Sequence, residues 1–380
     1  MEGKQAEFHR ERFRQIKRLV VKIGSGVIAS SAHGLDHARL EALAAEIAEL
    51  KKAGTEIILV SSGAILSGLE KLGVEMRPKN IPLKQAAAAV GQSRLMWAYE
   101  KAFEARGLTV AQILLTSDDL DDRKRFLNSR NTLTTLLSLN VIPVINENDT
   151  VVVEEIRFGD NDNLAALVTH LADAQLLVIL SDVEGLYSDD PRRNPGARLI
   201  PVVGKINAEI ERLAKDTSTR EGTGGMRSKI QAARKVAGTG VPAVIAYGRR
   251  AGVIGEIMKG GAVGTLFLPD SGKRTSRKHW IAFGSRTKGR LVLDAGAVEA
   301  LTTKGRSLLP SGVVRVEGRF EAGDAVSCLD PRGREVAKGL VNFSSAEVSK
   351  IKGAKTAEIA GILGYKDYDE VIHRDNLVIL

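Results

Sequence analysis

Val-Ile-Asn-Glu-Asn-Asp-Thr at 144–150 and Gly-Asp-Asn-Asp-Asn-Leu at 159–164 are two polar motifs joined by a short β-prone segment. The first motif is the polar end of an apolar run at 141–145 that predicts a buried strand. The second predicts a turn that caps a helix beginning near Asn163. Asp and Asn also favour turns for local reasons, because their side chains hydrogen-bond neighbouring backbone groups. Two such motifs, each at the end of a strand or helix, nevertheless favour a site that holds a polar substrate.

A calcium-binding loop is the competing interpretation of the second motif. Such a loop starting at Asp160 would need Gly at its sixth position and Glu at its twelfth. The sequence has Ala165 and Leu171 at these positions. The spacing therefore excludes a calcium loop of this type.

Composition sets the broad class of the protein. The chain has 380 residues, enough for two or three domains. We expect no membrane span, because no apolar run is long enough, and no secretory signal, because residues 1–18 lack an apolar core. That extension is interpreted as solvated or helical. The one cysteine, Cys328, excludes an internal disulfide and fits a reducing compartment, and the six histidines have no metal-site spacing.

Positive charge is concentrated at the C-terminal end. The net charge is +9, and the residues from Ser271 onward hold 19 Lys/Arg and 13 Asp/Glu. A basic module can indicate nucleic-acid binding. It can equally serve only solubility, so charge alone leaves both interpretations open.

Strand-like and helix-like segments alternate through most of the chain. Strands are predicted at 18–24, 56–60, 108–115, 141–145, 175–180, 243–246 and 264–268, and helices at 36–52, 82–106, 118–139, 164–172 and 225–237. This order predicts an α/β fold with a mainly parallel sheet sandwiched by helices, whose ligands bind at the carboxyl ends of the strands. Short β-prone pieces separated by turns predict a small β-rich domain at the C-terminus. The predicted organisation is an extension at 1–17, an α/β domain at 18–270, a basic linker at 271–287, and a β-rich domain with its tail at 288–380.

Lys22 is a charged residue inside an apolar strand, directly before the turn Gly24-Ser25-Gly26. Because burying an unpaired lysine is costly, it must reach a charged partner. That partner is either a structural ion pair or a phosphate, which glycine turns allow backbone N–H groups to approach. Gly24, Gly26 and Ala29 also match a dinucleotide fingerprint. We discount this match because the segment that follows is irregular and does not open a helix directly.

The glycine-rich stretch 222–229 precedes a predicted helix and places Lys229 in its first turn. Helix amides, the positive end of the helix dipole and a lysine together suit a polyphosphate. A flexible loop with a chance lysine is the alternative. With Lys22 and the two acidic motifs, this stretch predicts a phosphoryl-transfer site that uses Mg²⁺. No general base is evident among the motifs, and none is needed if the acceptor is a carboxylate, which is ionised at neutral pH.

Several motifs resemble the amino acid kinase family, in particular its members that phosphorylate glutamate and carry a C-terminal PUA domain. They are Val-Val-Lys-Ile-Gly-Ser (20–25), Val-Ser-Ser-Gly-Ala-Ile (60–65), Ala-Val-Gly-Gln-Ser-Arg-Leu (89–95), Leu-Leu-Thr (114–116), Asp-Arg-Lys-Arg-Phe-Leu-Asn (122–128), Val-Ile-Asn-Glu-Asn-Asp (144–149), Gly-Asp-Asn-Asp-Asn-Leu (159–164), Gly-Leu-Tyr (185–187), Asp-Pro-Arg (190–192) and Gly-Thr-Gly-Gly-Met (222–226). The resemblance runs from about residue 18 to the C-terminus.

The resemblance implies ATP-dependent phosphorylation of the side-chain carboxylate of L-glutamate to γ-glutamyl phosphate, the first step of proline biosynthesis, with Mg²⁺. It implies that Lys22 and Lys229 neutralise the transferring phosphoryl group, and that Asp162 holds these lysines and helps with Mg²⁺. It further implies that glutamate is bound by Ser62, Asp149 and Asn161, with Asn146 beside them. The nucleotide would be bound by Lys22, Ser181, Asp182, Thr223, Gly224, Gly225, Met226, Arg227, Ser228 and Lys229.

The resemblance also implies a cytoplasmic homo-oligomer, proline as feedback inhibitor sensed near 118–148, and product transfer to glutamate-5-semialdehyde dehydrogenase. One alternative is another family member whose acceptor is acetylglutamate, aspartate, carbamate or a nucleoside monophosphate. The other is RNA binding through the PUA domain. Aromatic residues are sparse there, so a structural or regulatory PUA domain is favoured.

Overall fold

The computed structural model describes residues 2–29, 34–74, 80–151, 160–214, 225–270 and 287–380. The chain forms two compact units, of which the first contains Met1–Asp119 and Leu127–Lys273. The second contains Arg274–Leu380 together with Leu120–Phe126. The predicted domain organisation differs on one point, because a segment from the first half of the chain belongs to the C-terminal unit. Its other domain boundaries stay a prediction, since most of the proposed linker at 271–287 lies outside the described residues.

The first unit is built on an eight-stranded sheet whose strands lie in the order β3-β4-β2-β1-β5-β7-β8-β6. All of these neighbours are parallel except β7 and β8. Every residue of β5 is buried, as expected for a parallel strand covered on both faces. The predicted α/β fold is confirmed. The strands are β1 Arg18–Ile23, β2 Glu56–Ser61, β3 Val110–Leu115, β4 Ile142–Glu147, β5 Leu176–Ser181, β6 Val202–Val203, β7 Ala243–Tyr247 and β8 Thr265–Phe267.

Helices cover this sheet. They are α1 Glu2–Phe13, α2 Ser25–Ile28, α3 His37–Lys52, α4 Ala64–Lys71, α5 Ile81–Glu104, α6 Ser117–Asp121, α7 Arg123–Ser138, α8 Asp160–Leu171, α9 Ala208–Leu213, α10 Met226–Ala237 and α11 Val253–Met258. Leu19, Val21 and Ile23 of β1 pack in one apolar cluster with residues of α3 and α5. Because side chains alternate along a strand, Val20 and Lys22 point to the opposite face. Helix α8 contacts β1 and also packs against α10, and this contact decides which partners Lys22 can reach.

The N-terminal extension is a packed helix. Ala6 and Phe13 of α1 are each 2% exposed and belong to the core of the first unit. The side chain of Arg14 donates a hydrogen bond to the backbone oxygen of Lys259 at 3.0 Å. The expectation of a helical extension is therefore confirmed, and most of its other described side chains are exposed.

Two predicted helices have different limits in the structure. Helix α8 begins at Asp160 rather than near Asn163, so Asn161 and Asp162 lie in its first turn and not in a preceding loop. The single helix expected at 118–139 is interrupted between α6 and α7. The Asp122 side chain accepts a hydrogen bond from the backbone N–H of Arg125 at 2.9 Å, which is the contact that starts a new helix.

The second unit has its own five-stranded sheet in the order β10-β9-β11-β12-β13. Buried side chains such as Phe320 and Phe343 fill its core. Phe126 packs against a small apolar group formed by Ala325, Leu340 and Val378. The elements are β9 Gly289–Leu293, α12 Ala295–Thr302, β10 Val313–Gly318, β11 Ala325–Leu329, β12 Glu335–Leu340, α13 Ser345–Ile351, α14 Ile359–Leu363 and β13 Leu377–Ile379, with 3₁₀ turns at Pro310–Gly312, Thr356–Glu358 and Arg374–Asn376.

Helices α4 and α5 cross at glycines, which makes a stability prediction possible. A Cβ atom at Gly91 would lie 1.8 Å from the backbone oxygen of Ala64, whereas a Cβ at Gly255 of α11 would have no neighbour within 4 Å. We expect Gly91→Ala to lower the free energy of unfolding by about 1–3 kcal/mol or more, because the helices must separate. Gly255→Ala is the control and should raise it by up to about 1 kcal/mol through helix propensity. Urea unfolding measures both, and equal midpoints for the two variants would contradict the close crossing.

Candidate active site

The polar residues singled out in the sequence meet at one edge of the first sheet. Lys22 is next to last in β1, Ser62 directly follows β2, and Ser181 is the last residue of β5. Asn146 lies near the end of β4, and these four strands are parallel neighbours. Their carboxyl ends therefore share one edge, as the sequence analysis predicted for the site.

Asp162 joins the two lysines at this edge. Its Oδ1 lies 2.7 Å from Lys22 Nζ, and its Oδ2 lies 3.4 Å from Lys229 Nζ. The hydroxyl of Ser228 donates a hydrogen bond to the same Oδ2 at 2.6 Å. The carboxylate is fully buried, and each lysine is only 5% exposed. Strand β1, helix α8 and helix α10 thus each supply one charge to a single buried cluster.

The charges in this cluster change each other's proton affinity. Burial by itself would raise the pKa of Asp162, but the positive charges of Lys22 and Lys229 outweigh it and lower that pKa to about 2. Burial also lowers the pKa of Lys22, while the Asp162 charge acts in the opposite direction. The half-buried carboxylate of Asp182 supports Lys22 to a smaller extent. Lys22 and Lys229 thus contact the same fully buried carboxylate, which holds the two lysines side by side.

The turn after β1 lies close to the end of β5. The backbone N–H of Gly24 donates to the oxygen of Leu180 at 3.1 Å. A Cβ atom at Gly24 would lie 3.6 Å from Lys22 Nζ, and one at Gly26 would lie 3.3 Å from Cβ of Asp182. Glycine at these two positions therefore keeps the turn free of side chains next to Lys22 and Asp182. The turn continues into the four-residue helix α2, which the sequence analysis treated as irregular.

An amide network lies beside the charged cluster. The Asn161 amide nitrogen donates to Ser62 Oγ and to Asn146 Oδ1, both at 3.1 Å. The Asn146 amide nitrogen donates to Gln92 Oε1 at 2.8 Å. The predicted site includes the first three of these residues, whereas Gln92 has no predicted role. The one sequence signal that could have pointed to Gln92 is its place in the family motif at 89–95. Helix α5, which carries Gln92, is far in sequence from the other residues of the network.

The remaining predicted site residues have the following positions. Asp149 is half-buried in the turn after β4, and the Ser181 hydroxyl donates to Asp182 Oδ1 at 3.0 Å. Gly225 precedes α10, whose first residues are Met226, Arg227 and Ser228. Thr223 and Gly224 lie outside the described residues, so their predicted role in binding the nucleotide stays a prediction.

Comparison with known proteins gives the class. Residues 17–247 match the amino acid kinase family, and residues 289–363 match the PUA domain. The first match spans more than half of the chain. The chain therefore belongs to the amino acid kinase family.

Within this family, the chain is similar to glutamate 5-kinases. The glutamate 5-kinase of Citrifermentans bemidjiense is 55% identical over 371 residues, which is 98% of this chain and all of that protein. The glutamate 5-kinase of Geobacter sulfurreducens is 54% identical over 96% of this chain and 98% of its own. The glutamate 5-kinase of Moorella thermoacetica is 49% identical over 96% of this chain and 97% of its own. Similarity therefore extends over both units.

The described part of the chain contains neither a candidate membrane span nor a cluster of metal ligands. None of its helices combines the length and the apolar character that crossing a bilayer requires. In the same residues, no three His, Cys, Asp or Glu side chains are grouped so that they could hold a metal ion by themselves.

The packing of α8 against α10 generates a prediction about pH. Burial lowers the pKa of His170, at the end of α8, from 6.5 to about 4; a backbone hydrogen bond at Lys235 opposes this shift and the Lys235 charge adds to it. Between these pH values the unfolded chain protonates this histidine and the folded chain does not. Acidification from about pH 6.5 to 4 should therefore lower the free energy of unfolding, by up to about 3 kcal/mol from this group.

His170→Gln removes the titrating group, so its stability should depend less steeply on pH in this window. The measurement is urea unfolding at half-unit steps from pH 7 to 4. The same substitution at His37, which is exposed on α3, is the matched control. An unchanged slope in His170→Gln would contradict the assignment.

Proposed function

We propose that this chain transfers the γ-phosphoryl group of ATP to the side-chain carboxylate of L-glutamate, which makes γ-glutamyl phosphate and starts proline biosynthesis. The observation that carries the proposal is the buried carboxylate of Asp162 between Lys22 and Lys229, at 2.7 and 3.4 Å. The similarity to glutamate 5-kinases over nearly the full chain supports the choice of acceptor.

In this reaction a carboxylate oxygen of glutamate forms a bond to the γ-phosphorus, and the bond from that phosphorus to the bridging oxygen of ADP breaks. Negative charge moves towards the leaving ADP and stays spread over the transferring group. Two lysines held by one carboxylate supply positive charge for it without having to reorganise. The acceptor is already ionised, so the site does not have to remove a proton.

Mg²⁺ would neutralise the phosphates of the bound nucleotide. Both carboxylate oxygens of Asp162 are already paired with lysines and Ser228. We therefore assign the metal contact to Asp182, whose half-buried carboxylate lies beside Gly26. Asp182 would hold the ion together with water and the substrate phosphates, an arrangement that is common for Mg²⁺.

The nucleotide side and the glutamate side lie at different strands. Ser181, Asp182 and the start of α10 with Lys229 would hold the phosphates, since helix amides and a lysine attract anions. Glutamate would be held by Ser62, Asn146, Asn161 and Asp149. Asp149 would bind the ammonium group of glutamate. In this arrangement the lysine cluster lies between donor and acceptor, where the transferring group passes.

RNA binding is the second candidate, and the described aromatic residues disfavour it. Phe320 and Phe343 are buried in the core of the C-terminal unit. The hydroxyl of Tyr365 donates a hydrogen bond to Glu347, and Tyr368 stands edge-on to Phe343 at 6.1 Å between ring centres. A structural or regulatory role fits these contacts better than base stacking. Steeply salt-dependent retention of tRNA by the full chain would reverse this preference.

The proposal includes the regulation and the setting of the enzyme. Proline would inhibit at or overlapping the glutamate site, sensed by residues 118–148, and the labile product would pass to glutamate-5-semialdehyde dehydrogenase. The enzyme would work in the cytoplasm, in keeping with the single, buried Cys328. It would form a homo-oligomer, for which the uncharged edge strand β3 with its partly exposed Leu114 offers a surface.

The test is acyl phosphate formation trapped with hydroxylamine, in the presence of ATP and Mg²⁺. Glutamate should give hydroxamate, and aspartate and N-acetylglutamate should not. Lys229→Ala should lower kcat about 100- to 1000-fold, because one preorganised charge is lost from the transition state.

Lys52→Ala is the matched control and should leave kcat unchanged, because the Lys52 side chain is 72% exposed on α3. Turnover of another acceptor in place of glutamate would keep the family and overturn the substrate. Full activity of folded Lys229→Ala would overturn the role of the lysine cluster.

A further inference from the structure

One backbone group fixes the orientation of the amide network. The backbone N–H of Glu147 donates a hydrogen bond to Asn146 Oδ1 at 2.9 Å. A backbone N–H can only donate, so the Asn146 atom that it meets must be the oxygen. The nitrogen of Asn146 then points the other way and donates to Gln92. The Gln92 atom at this contact must in turn be its oxygen, which directs its NH₂ group away from the network.

The same rule orients Asn161. Its nitrogen donates to Asn146 Oδ1 and to Ser62 Oγ, so its oxygen faces elsewhere. Gln92 Nε2 and Asn161 Oδ1 are both buried, and neither has a hydrogen-bond partner among the described residues. A buried polar group without a partner is costly. The network therefore keeps one donor and one acceptor ready for a ligand.

The position of Gln92 indicates which part of a substrate it would meet. Lys22 lies on β1, while the partner of Gln92, Asn146, lies on β4, and β2 separates the two strands. Neighbouring strands are about 4.8 Å apart, so the two ends of the site differ by about 10 Å. A substrate whose reacting carboxylate faces Lys22 therefore extends its other end towards Asn146 and Gln92.

We propose that Gln92 Nε2 donates a hydrogen bond to the α-carboxylate of the amino acid substrate and so selects an α-amino acid. Asn161 Oδ1 is the matching acceptor for the ammonium group. This inference rests on the proposed function and adds to it a specificity residue that the sequence motifs did not assign. Gln92 contributes to binding and takes no part in phosphoryl transfer.

The donor also explains how the site rejects acids that lack the α-carboxylate. With glutamate bound, the Gln92 NH₂ group gains a charged acceptor, and hydrogen bonds to charged groups are the strong ones. With 4-aminobutyrate bound, the reacting carboxylate and the ammonium group are present but this NH₂ group stays unpaired. Sites built around a buried polar group discriminate strongly against ligands that leave it unpaired.

The experiment compares glutamate with 4-aminobutyrate in the wild-type chain, Gln92→Leu and Gln92→Glu. Gln92→Leu should lower kcat/KM for glutamate by about 10- to 100-fold, mainly through KM, because a hydrogen bond to a charged group is lost. The value for 4-aminobutyrate should fall less, because that compound loses only the support that Gln92 Oε1 gives to Asn146. Gln92→Glu keeps an oxygen for Asn146 but opposes the substrate carboxylate, so glutamate should lose at least as much. Calorimetric Kd values for both compounds give the same comparison without turnover.

Gln5→Leu is the matched control, because it makes the same change at an exposed glutamine on α1, and it should leave kcat/KM unchanged for both compounds. Equal losses for glutamate and 4-aminobutyrate would overturn the carboxylate contact, as would unchanged values for glutamate. Thermal midpoints show whether each variant is folded. If Gln92→Leu does not fold, the comparison of the two compounds in Gln92→Glu tests the carboxylate contact, because this variant preserves the network.

A wild-type chain that neither binds nor phosphorylates glutamate would overturn the proposed function as well. Normal glutamate turnover without selectivity against 4-aminobutyrate would overturn only the role of Gln92.

Discussion

The ion pair of Asp162 with Lys22 and Lys229 is the constraint on which the first unit depends. Removing three charged groups from water costs several kcal/mol for each, and only close pairing offsets that cost. The pairing requires β1, α8 and α10 to meet with their polar ends at one sheet edge. Asp162 lies in the first turn of α8, where the helix dipole also favours a negative charge. Packing of α8 against both β1 and α10 is therefore a condition for the site as well as for the core.

This cluster is prepared for an anion before any anion arrives. The low pKa of Asp162 means that its carboxylate stays ionised and keeps both lysines in position. In the proposed reaction, a phosphoryl group would meet two positive charges that Asp162 already holds in place. Catalysis that depends on charge already in place needs such a rigid setting, because side chains that first had to move would weaken the stabilisation. Burial of Lys22 and Lys229 on structured elements provides that rigidity.

The sequence could predict some of this site and not the rest. Local rules predicted a charged partner for the lysine, because burying an unpaired lysine inside an apolar strand is costly. They also predicted that the polar motifs lie together, because the carboxyl ends of parallel strands share one edge of the sheet. The start of α8 was misplaced, because Gly159 and the Asp/Asn residues of 160–163 resemble a turn, while Asp160–Asn163 belong to the helix. Gln92 could not be found, because its role depends on how α5 crosses α4 and on one backbone N–H at Glu147. Neither feature has a local sequence signal.

The two ends of the site use different chemistry, and this difference can orient the substrate. Glutamate carries two carboxylates, and both would be drawn to a cation. The lysine pair at β1 is the stronger attraction, whereas the β4 end offers amide groups and the carboxylate of Asp149. A neutral amide donor at the β4 end can bind one carboxylate of glutamate and leave the lysines for the other. Asp149 would repel a carboxylate at the β4 end unless an ammonium group lies beside that carboxylate. Only the α-carbon end of glutamate carries that ammonium group. In the proposed function, the side-chain carboxylate would therefore be left for the lysines, which would give a physical reason for phosphorylation at that carboxylate and not at the other.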